Sequence, residues 1–302
     1  MASTEATPAH TGKFILNNGK VMPAIGLGTF RIRNGDVVMK VMDWALNAGY
    51  RMFDTAAVYG NESHLKIALK TLLPKYGLER EDIFITTKLS PSDHGTKEIV
   101  EHAYKKSLEN LGLDYVDLYL IHFPGTAGIP SNHINNKHIR NETWKALAEL
   151  YKEGRIKAIG VSNFTVVHLE QLMANNYGVI PAVNQVEWHP YYQPQDVLIY
   201  CKKNNILLQA YCSFGGTSSV NMSMMQDPGV NKIAKTLNVS CAQVLLAWAL
   251  QQGIAVIPKS TSQARINENI SINFTIPNED MKVLNALGSR KIKYAWDPTE
   301  VA

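Results

Sequence analysis

From residue 24 to residue 260, short runs rich in β-branched and aromatic residues alternate with longer amphipathic stretches, and the alternation repeats eight times. The strand candidates are AIGLG (24–28), YRMFD (50–54), IFITTK (83–88), VDLYLIH (116–122), IKAIGVS (156–162), AVNQVEW (182–188), LLQAY (207–211) and IAVIPKS (254–260). Between them lie helical patterns such as DVVMKVMDWALNAG, TKEIVEHAYKKSLENLG, NETWKALAELYKEG, TVVHLEQLMANN and CAQVLLAWALQQG, several closed by glycine as helices commonly are. Apolar strands joined by crossover helices have no solvated face, so they must form a parallel sheet covered on both sides. Eight such units in 302 residues fit a closed (β/α)8 TIM barrel, about 250 residues before additions. An open doubly wound sheet is the structural alternative. The Asn18-Gly19 turn within FILNNGKVMP predicts a β-hairpin capping the barrel's N-terminal mouth, and the chain after Leu287 reads as an irregular loop tail. No linker, repeat or low-complexity segment divides the chain. A single domain over 1–302 is expected, with residues 1–12 flexible.

Apolar residues at 45% and charged residues at 19% allow a sizeable core. The net charge of +4 is scattered, with no basic block for nucleic acid or membrane lipid, although it suits an anionic small ligand. Three distant cysteines, Cys201, Cys212 and Cys241, fit a reducing compartment better than a disulfide framework. MASTEATPAHTGK lacks the apolar core of a signal peptide, and no stretch approaches the ~20 apolar residues of a membrane span. The expectation is a cytosolic protein without nucleic-acid or membrane partners.

In a barrel, polar residues at strand C-termini converge on the face that carries the active site. Asp54, Lys88 and His122 end the second, third and fourth strands, and Ser162 and Asn163 end the fifth. Gln185 lies in the sixth, Tyr211 ends the seventh, and Lys259 and Ser260 end the eighth. Each has an ordinary reading when taken alone: Asp54 as a helix cap, Lys88 as a surface lysine, His122 as a core histidine, Tyr59 as a loop aromatic. Four ordinary readings meeting at one mouth is the less economical account. A carboxylate beside a buried lysine compensates its desolvation. A cation near a phenol lowers the phenol's pKa from about 10, making it a better proton donor. A histidine can orient the oxygen that receives the proton. The chemistry expected is protonation of a carbonyl oxygen while its carbon is attacked. No metal cluster, Cys-His pair or Gly-x-Ser-x-Gly elbow competes, and His133 and His138 read as solvated residues of a polar loop, so no metal is expected.

Several long motifs in order carry a resemblance: GLGTF (26–30), FDTAAVYGNE (53–62), TTKL (86–89), YLIHFP (119–124), IGVSNF (159–164), NQVEWHPY (184–191) and IPKS…RINEN (257–269). From MPAIGLGTF to KYAWDPTE the chain resembles the aldo-keto reductase superfamily, nearest to its aldose and aldehyde reductase branch. The resemblance implies a (β/α)8 barrel and an extended nicotinamide dinucleotide, usually NADPH, across the mouth. It implies Tyr59 as proton donor, Lys88 lowering its pKa, Asp54 paired with that lysine, and His122 orienting the substrate carbonyl. Ser162, Asn163 and Gln185 would hold the nicotinamide carboxamide, with Tyr211 stacked on its ring. Lys259, Ser260 and Arg265 would grip the adenosine 2′-phosphate, Glu268 and Asn269 would lie near the adenine, and Gly28 and Thr29 along the cofactor's path. A planar guanidinium and a point charge suit a phosphate, which favours NADPH over NADH. This branch is mostly monomeric.

Departures from the branch fall on the substrate pocket. Phe30 and Phe123 stand where relatives carry tryptophan, and Ser90 where an aromatic is common. The loop GTAGIPSNHINNKHIR is shorter, and CSFGGTSS after Tyr211 lacks the usual Ser-Pro-Leu and the acidic residue of the loop folding over the cofactor. These imply a more open, more polar pocket for small polar or sugar-derived aldehydes, and faster cofactor exchange. Reduction of a carbon-carbon double bond goes with glutamate at the position of His122 in the steroid-reducing relatives. An NADPH-binding regulatory or structural protein is the alternative from another class.

Overall fold

A computed structural model of the protein describes residues 12–216 and 223–302. The flexible start expected for 1–12 falls, through residue 11, outside the described residues, as do positions 217–219 of CSFGGTSS.

The chain opens with an antiparallel hairpin, β1 (Lys13–Ile15) and β2 (Val21–Pro23), with Ile15 opposite Val21 and Gly19 at a positive φ in the turn. Eight parallel strands follow: β3 (Leu27–Gly28), β4 (Met52–Asp54), β5 (Phe84–Leu89), β6 (Leu118–Ile121), β7 (Ile159–Ser162), β8 (Val183–Glu187), β9 (Leu207–Tyr211) and β10 (Ala255–Val256). Each pairs with the next in sequence. A parallel bridge from Ile25 to Val256 joins the two ends and closes the barrel. All eight strand runs read from the sequence are found.

Gly28 makes that closure possible. Its N–H donates to Pro258 O at 3.1 Å, and a Cβ there would stand 2.8 Å from Ile257 O. The tight approach of β3 to the last strand is thus a local reason for glycine at this position.

The crossover helices are α1 (Gly35–Asn47), α2 (Glu62–Lys75), α3 (Lys97–Leu111), α4 (Asn135–Lys152), α5 (Val166–Ala174) and α6 (Gln195–Lys203). The last strands are followed by α7 (Pro228–Leu237), α8 (Cys241–Leu250), α9 (Gln263–Ile270) and α10 (Asn278–Ala286). In α1, Val38, Val41, Met42, Ala45 and Leu46 recur at helical spacing and all are buried, while Asn34 caps the start by accepting from Val37 N. By itself no described helix is long and apolar enough to cross a membrane. One core cluster lies between barrel and helices. A second fills the barrel's N-terminal end, where Leu16 and Met22 of the hairpin pack on Met52, Phe84, Leu118 and Val183. That plug leaves the opposite, C-terminal mouth for polar chemistry.

α4 begins before the expected NETW pattern and takes in His138, which the sequence reading assigned to a loop. The helix buries Asn136 and Arg140 as well as Trp144 and Leu147, and the polar members hid its inward stripe.

Two buried histidines outside the proposed catalytic set give the fold an acid sensitivity. Burial, with Arg140 nearby, pulls the pKa of His94 and of His168 down to about 4. Between pH ~6.5 and ~4 the unfolded chain binds protons at these sites and the folded chain does not, so stability falls as pH falls through that window. Unfolding free energies at pH 7 and pH 5 should differ by about 2 kcal/mol for each histidine. Equal values from urea titrations at the two pH values would contradict the buried neutral state.

Candidate active site

β4 ends in Asp54 and β5 carries Lys88, so the barrel brings the two side chains together at its mouth. Lys88 Nζ donates to Asp54 Oδ1 at 2.6 Å and to Thr55 O at 2.8 Å, and both side chains are almost wholly enclosed. Burial pulls the Lys88 pKa down, and the charge and hydrogen bond of Asp54 oppose it. The other carboxylate oxygen, Oδ2, accepts from Gln185 Nε2 at 2.8 Å, which also donates to Gln209 Oε1 at 2.8 Å. A polar chain Lys88–Asp54–Gln185–Gln209 therefore crosses the top of the barrel. Gln209 was missed in the sequence, though the strand's alternation puts it on the face of Tyr211 within an otherwise apolar run.

Tyr59 ends a short 3-10 turn, Ala57–Tyr59, that follows β4 and is closed by Gly60 at φ 67. Asn61, which the sequence reading passed over, holds this turn in place. Its Nδ2 donates to Thr29 O, Thr29 Oγ1 and Ile32 O, and its Oδ1 accepts from Thr55 Oγ1. Thr29 in turn donates through Oγ1 to Asp54 O at 2.9 Å. Tyr59 is partly exposed, with the Lys88 ammonium 5.1 Å from its ring centroid and the His122 ring 5.7 Å away.

The expected lowering of the Tyr59 pKa is not what these surroundings produce. Burial, the Asp54 charge and Cys212 raise it well above 10. The Lys88 charge is already engaged by Asp54, so little of its field is left to favour phenolate. The phenol therefore rests protonated at neutral pH. An alkoxide is a stronger base than a phenolate, so the group remains a competent donor toward carbonyl oxygen as that oxygen becomes alkoxide.

His122, at the exit of β6, is buried and neutral: burial, the Lys88 charge and His94 hold its pKa well below 6.5. Its Nδ1 is enclosed without a hydrogen-bond partner. Its carbonyl accepts from Asn163 Nδ2 at 2.9 Å, which ties the fourth barrel exit to the fifth. Asn163 adopts φ 65 and Cys212 φ 54, so the chain leaves β7 and β9 through left-handed residues that turn it sharply at the rim. Ser162 Oγ donates to Gln185 O at 2.8 Å, and Tyr211 OH to Asn163 Oδ1 at 2.5 Å. Ser162, Asn163, Gln185 and Tyr211 thus form one patch beside Tyr59 and His122.

A second patch lies past β10. Ser260 Oγ accepts from Ser262 N at 3.1 Å, shaping the entry to α9, whose first turn carries Arg265. Lys259 feels the charges of Arg31 and Arg265 and its pKa is lowered by burial and by both of them. Among the described residues no ion pair is found for Lys259 or Arg265, and like charges gather there. Such an arrangement beside a helix N-terminus suits a phosphate. Asn269 is buried with its Oδ1 lacking a partner, an acceptor suited to an exocyclic amine, and Glu268 lies one residue before it. These features could hold a phosphate-bearing ligand that also presents a hydrogen-bond donor to Asn269. Among the described residues no cluster of three or more His, Cys, Asp or Glu side chains could hold a metal ion.

The pocket wall is more aromatic than the sequence suggested. Phe30 lies 5.0 Å from the Tyr59 ring. Trp296, from the tail, lies 5.3 Å from His122 and 5.6 Å from Phe123. The irregular tail thus returns to the mouth and supplies an indole where Phe30 and Phe123 had read as the loss of one. Phe30 is 45% and Trp296 52% exposed, so this wall is open to a ligand. Ser90 spends its hydroxyl on Ser92 and on capping the Pro91–Asp93 turn.

The chain is similar to known proteins over most of its length. The model of the "Aldo/keto reductase family" matches residues 24–289. The glyoxal reductase of Bacillus subtilis is 41% identical over 273 residues, 90% of this chain and 91% of its own. The glycerol 2-dehydrogenase (NADP(+)) of Saccharomyces cerevisiae is 38% identical over 312 aligned positions, 95% of each chain. A crystal structure of an aldo-keto reductase enzyme from a Medee basin deep-sea metagenome library superposes with a TM-score of 0.85 at 40% identity, covering 96% of this chain and 99% of that one.

Proposed function

The chain belongs to the aldo/keto reductase family, and from that premise we propose that it reduces aldehyde and ketone carbonyls to alcohols with NADPH, Tyr59 giving the proton. The observation that carries this reading is the convergence of a protonated Tyr59, an enclosed Lys88–Asp54 pair and a neutral His122 at one barrel mouth.

NADPH, when bound, supplies the hydride that reduces the carbonyl carbon. Lys259, Ser260 and Arg265 would hold its 2′-phosphate, and Glu268 and Asn269 the adenine end. Ser162, Asn163 and Tyr211 would meet the nicotinamide end. Gln185 has its amide N–H groups engaged by Asp54 and Gln209, so its part is to position Asp54 as much as to touch the cofactor. His122 donates an N–H to the substrate oxygen and orients it. Tyr59 protonates that oxygen as negative charge develops there. Lys88 and Asp54 fix the electrostatics beneath the phenol, and Asn61 with Thr29 fixes the turn that carries it.

Relatives act, by their names, on glyoxal and glycerol, which keeps small polar aldehydes among the substrates. The aromatic wall of Phe30, Phe123 and Trp296 favours aldehydes with an apolar portion as well. The polar pocket anticipated from the sequence is revised accordingly.

The cofactor assignment has a direct consequence. Arg265→Leu is expected to raise the KM for NADPH roughly ten- to hundredfold, the worth of one charge-assisted hydrogen bond, with little effect on NADH. Equal effects on both nucleotides would remove Arg265 from the 2′-phosphate. For the function itself, the test is consumption of NADPH with a panel of aldehydes and ketones. Binding of NADPH without consumption by any of them would replace the reductase with a cofactor-binding regulatory protein.

A further inference from the structure

Glu187 ends β8 and takes no part in the chemistry above, yet its carboxylate is one of the most heavily hydrogen-bonded groups in the protein. Its side chain is wholly enclosed. It accepts from His189 Nε2 at 2.9 Å, Lys293 Nζ at 2.9 Å, Tyr294 N at 2.6 Å and Ala295 N at 2.9 Å. Burial alone would raise its pKa; the His189 hydrogen bond, the Lys293 charge and the Tyr294 amide outweigh burial and bring the pKa down to about 2. A buried carboxylate costs several kcal/mol unless fully paired. Of the four donors that meet this cost, three are consecutive residues of the C-terminal tail, and only His189 belongs to the barrel. The next residue in the chain is Trp296, whose ring spans His122 and Phe123.

We propose that Glu187 is a positioning residue for substrate selection: it clasps the tail at residues 293–295 and so fixes the indole of Trp296 as the wall against the apolar part of an aldehyde. The inference rests on the carbonyl-reductase reading. Other ties hold the tail elsewhere, Ile292 N to Tyr191 O before the clasp and Val301 O to His168 after it. Glu187 is the tie directly beside the indole. It is also the β8 partner of Tyr211 in register, so the same residue borders the proposed nicotinamide face. Trp296 is half exposed; just before it the Tyr294 ring lies 5.2 Å from His189 and the Lys293 ammonium 4.7 Å from the Tyr192 ring, so the clasp is reinforced by residues beside Glu187.

Glu187→Gln keeps the shape and removes the charge. Two readouts test it: hydrogen exchange at the Tyr294 and Ala295 amides, and kcat/KM with NADPH for benzaldehyde and for propanal. Exchange at both amides should quicken at least tenfold, as they lose a charged acceptor. The benzaldehyde-to-propanal ratio should fall about tenfold, mostly through the KM of benzaldehyde, the size of one aromatic contact. Trp296→Ala should lower the ratio similarly, and the double variant should lower it no further. Lys293→Met removes one donor from the tail alone, leaves the barrel intact, and should shift both readouts in the same direction by less; it carries the test if Glu187→Gln does not fold. An unchanged ratio with faster exchange, an equal fall on both aldehydes, or additive effects in the double variant would overturn the proposal. If the wild type reduces neither aldehyde while the two amides still quicken in Glu187→Gln, the reductase reading fails and the clasp stands.

Discussion

Tyr59→Phe should lower kcat for aldehyde reduction by roughly 10²–10⁴-fold, the range for loss of a positioned general acid, while NADPH affinity changes little. The ring stays, with its neighbours Phe30, His122 and the Lys88 ammonium, and only the proton is lost. The raised pKa of the phenol sharpens the expectation for pH. A group with its pKa well above 10 remains protonated across the neutral range, so the wild-type rate should show no loss from Tyr59 ionisation up to pH 9. Pre-steady-state reduction of benzaldehyde separates the chemical step from product release. A variant with undiminished turnover would mean that another group is the acid.

Lys88→Met should be the most damaging single change to the fold near the mouth. It leaves the Asp54 carboxylate enclosed without its cation, and breaking a buried pair from one side costs about 3–5 kcal/mol. Gln185 remains as a donor to Oδ2, which sets the loss toward the lower end. Urea unfolding measures the loss, and the double variant Asp54→Asn/Lys88→Met separates stability from chemistry. With no charge left to bury, the double variant should regain most of the stability. It should not regain turnover, because the electrostatics beneath Tyr59 stay absent. A double variant as unstable as Lys88→Met would show that the pair is not the source of the cost.

The barrel was legible because its strands are apolar on both faces and its helices carry an inward stripe. The mouth was legible because Asp54, Lys88 and His122 each end a strand, where the fold itself converges them. What escaped the reading depends on contacts made across the chain. Gln209 sits inside a strand and Asn61 in a turn, and only packing shows that one extends the Asp54 chain while the other anchors the Tyr59 turn. Trp296 lies in a tail with no periodicity, so nothing local says that it returns to His122. The residue proposed to anchor it, Glu187, was passed over although it is a carboxylate at the exit of a buried strand, as Asp54 is. The direction of the Tyr59 pKa was misjudged for a physical reason: proximity to a cation was weighed without the carboxylate that already engages it.

The most direct test of carbonyl reduction at this site uses an enal, such as cinnamaldehyde, with NADPH carrying deuterium at the transferable position of the nicotinamide. Mass spectrometry and NMR of the product locate the label. The account predicts cinnamyl alcohol with one deuterium on the carbinol carbon and the double bond intact, formed by the wild type and nearly absent with Tyr59→Phe. Deuterium entering the carbon-carbon double bond, or remaining on the nucleotide with every carbonyl offered, would contradict it.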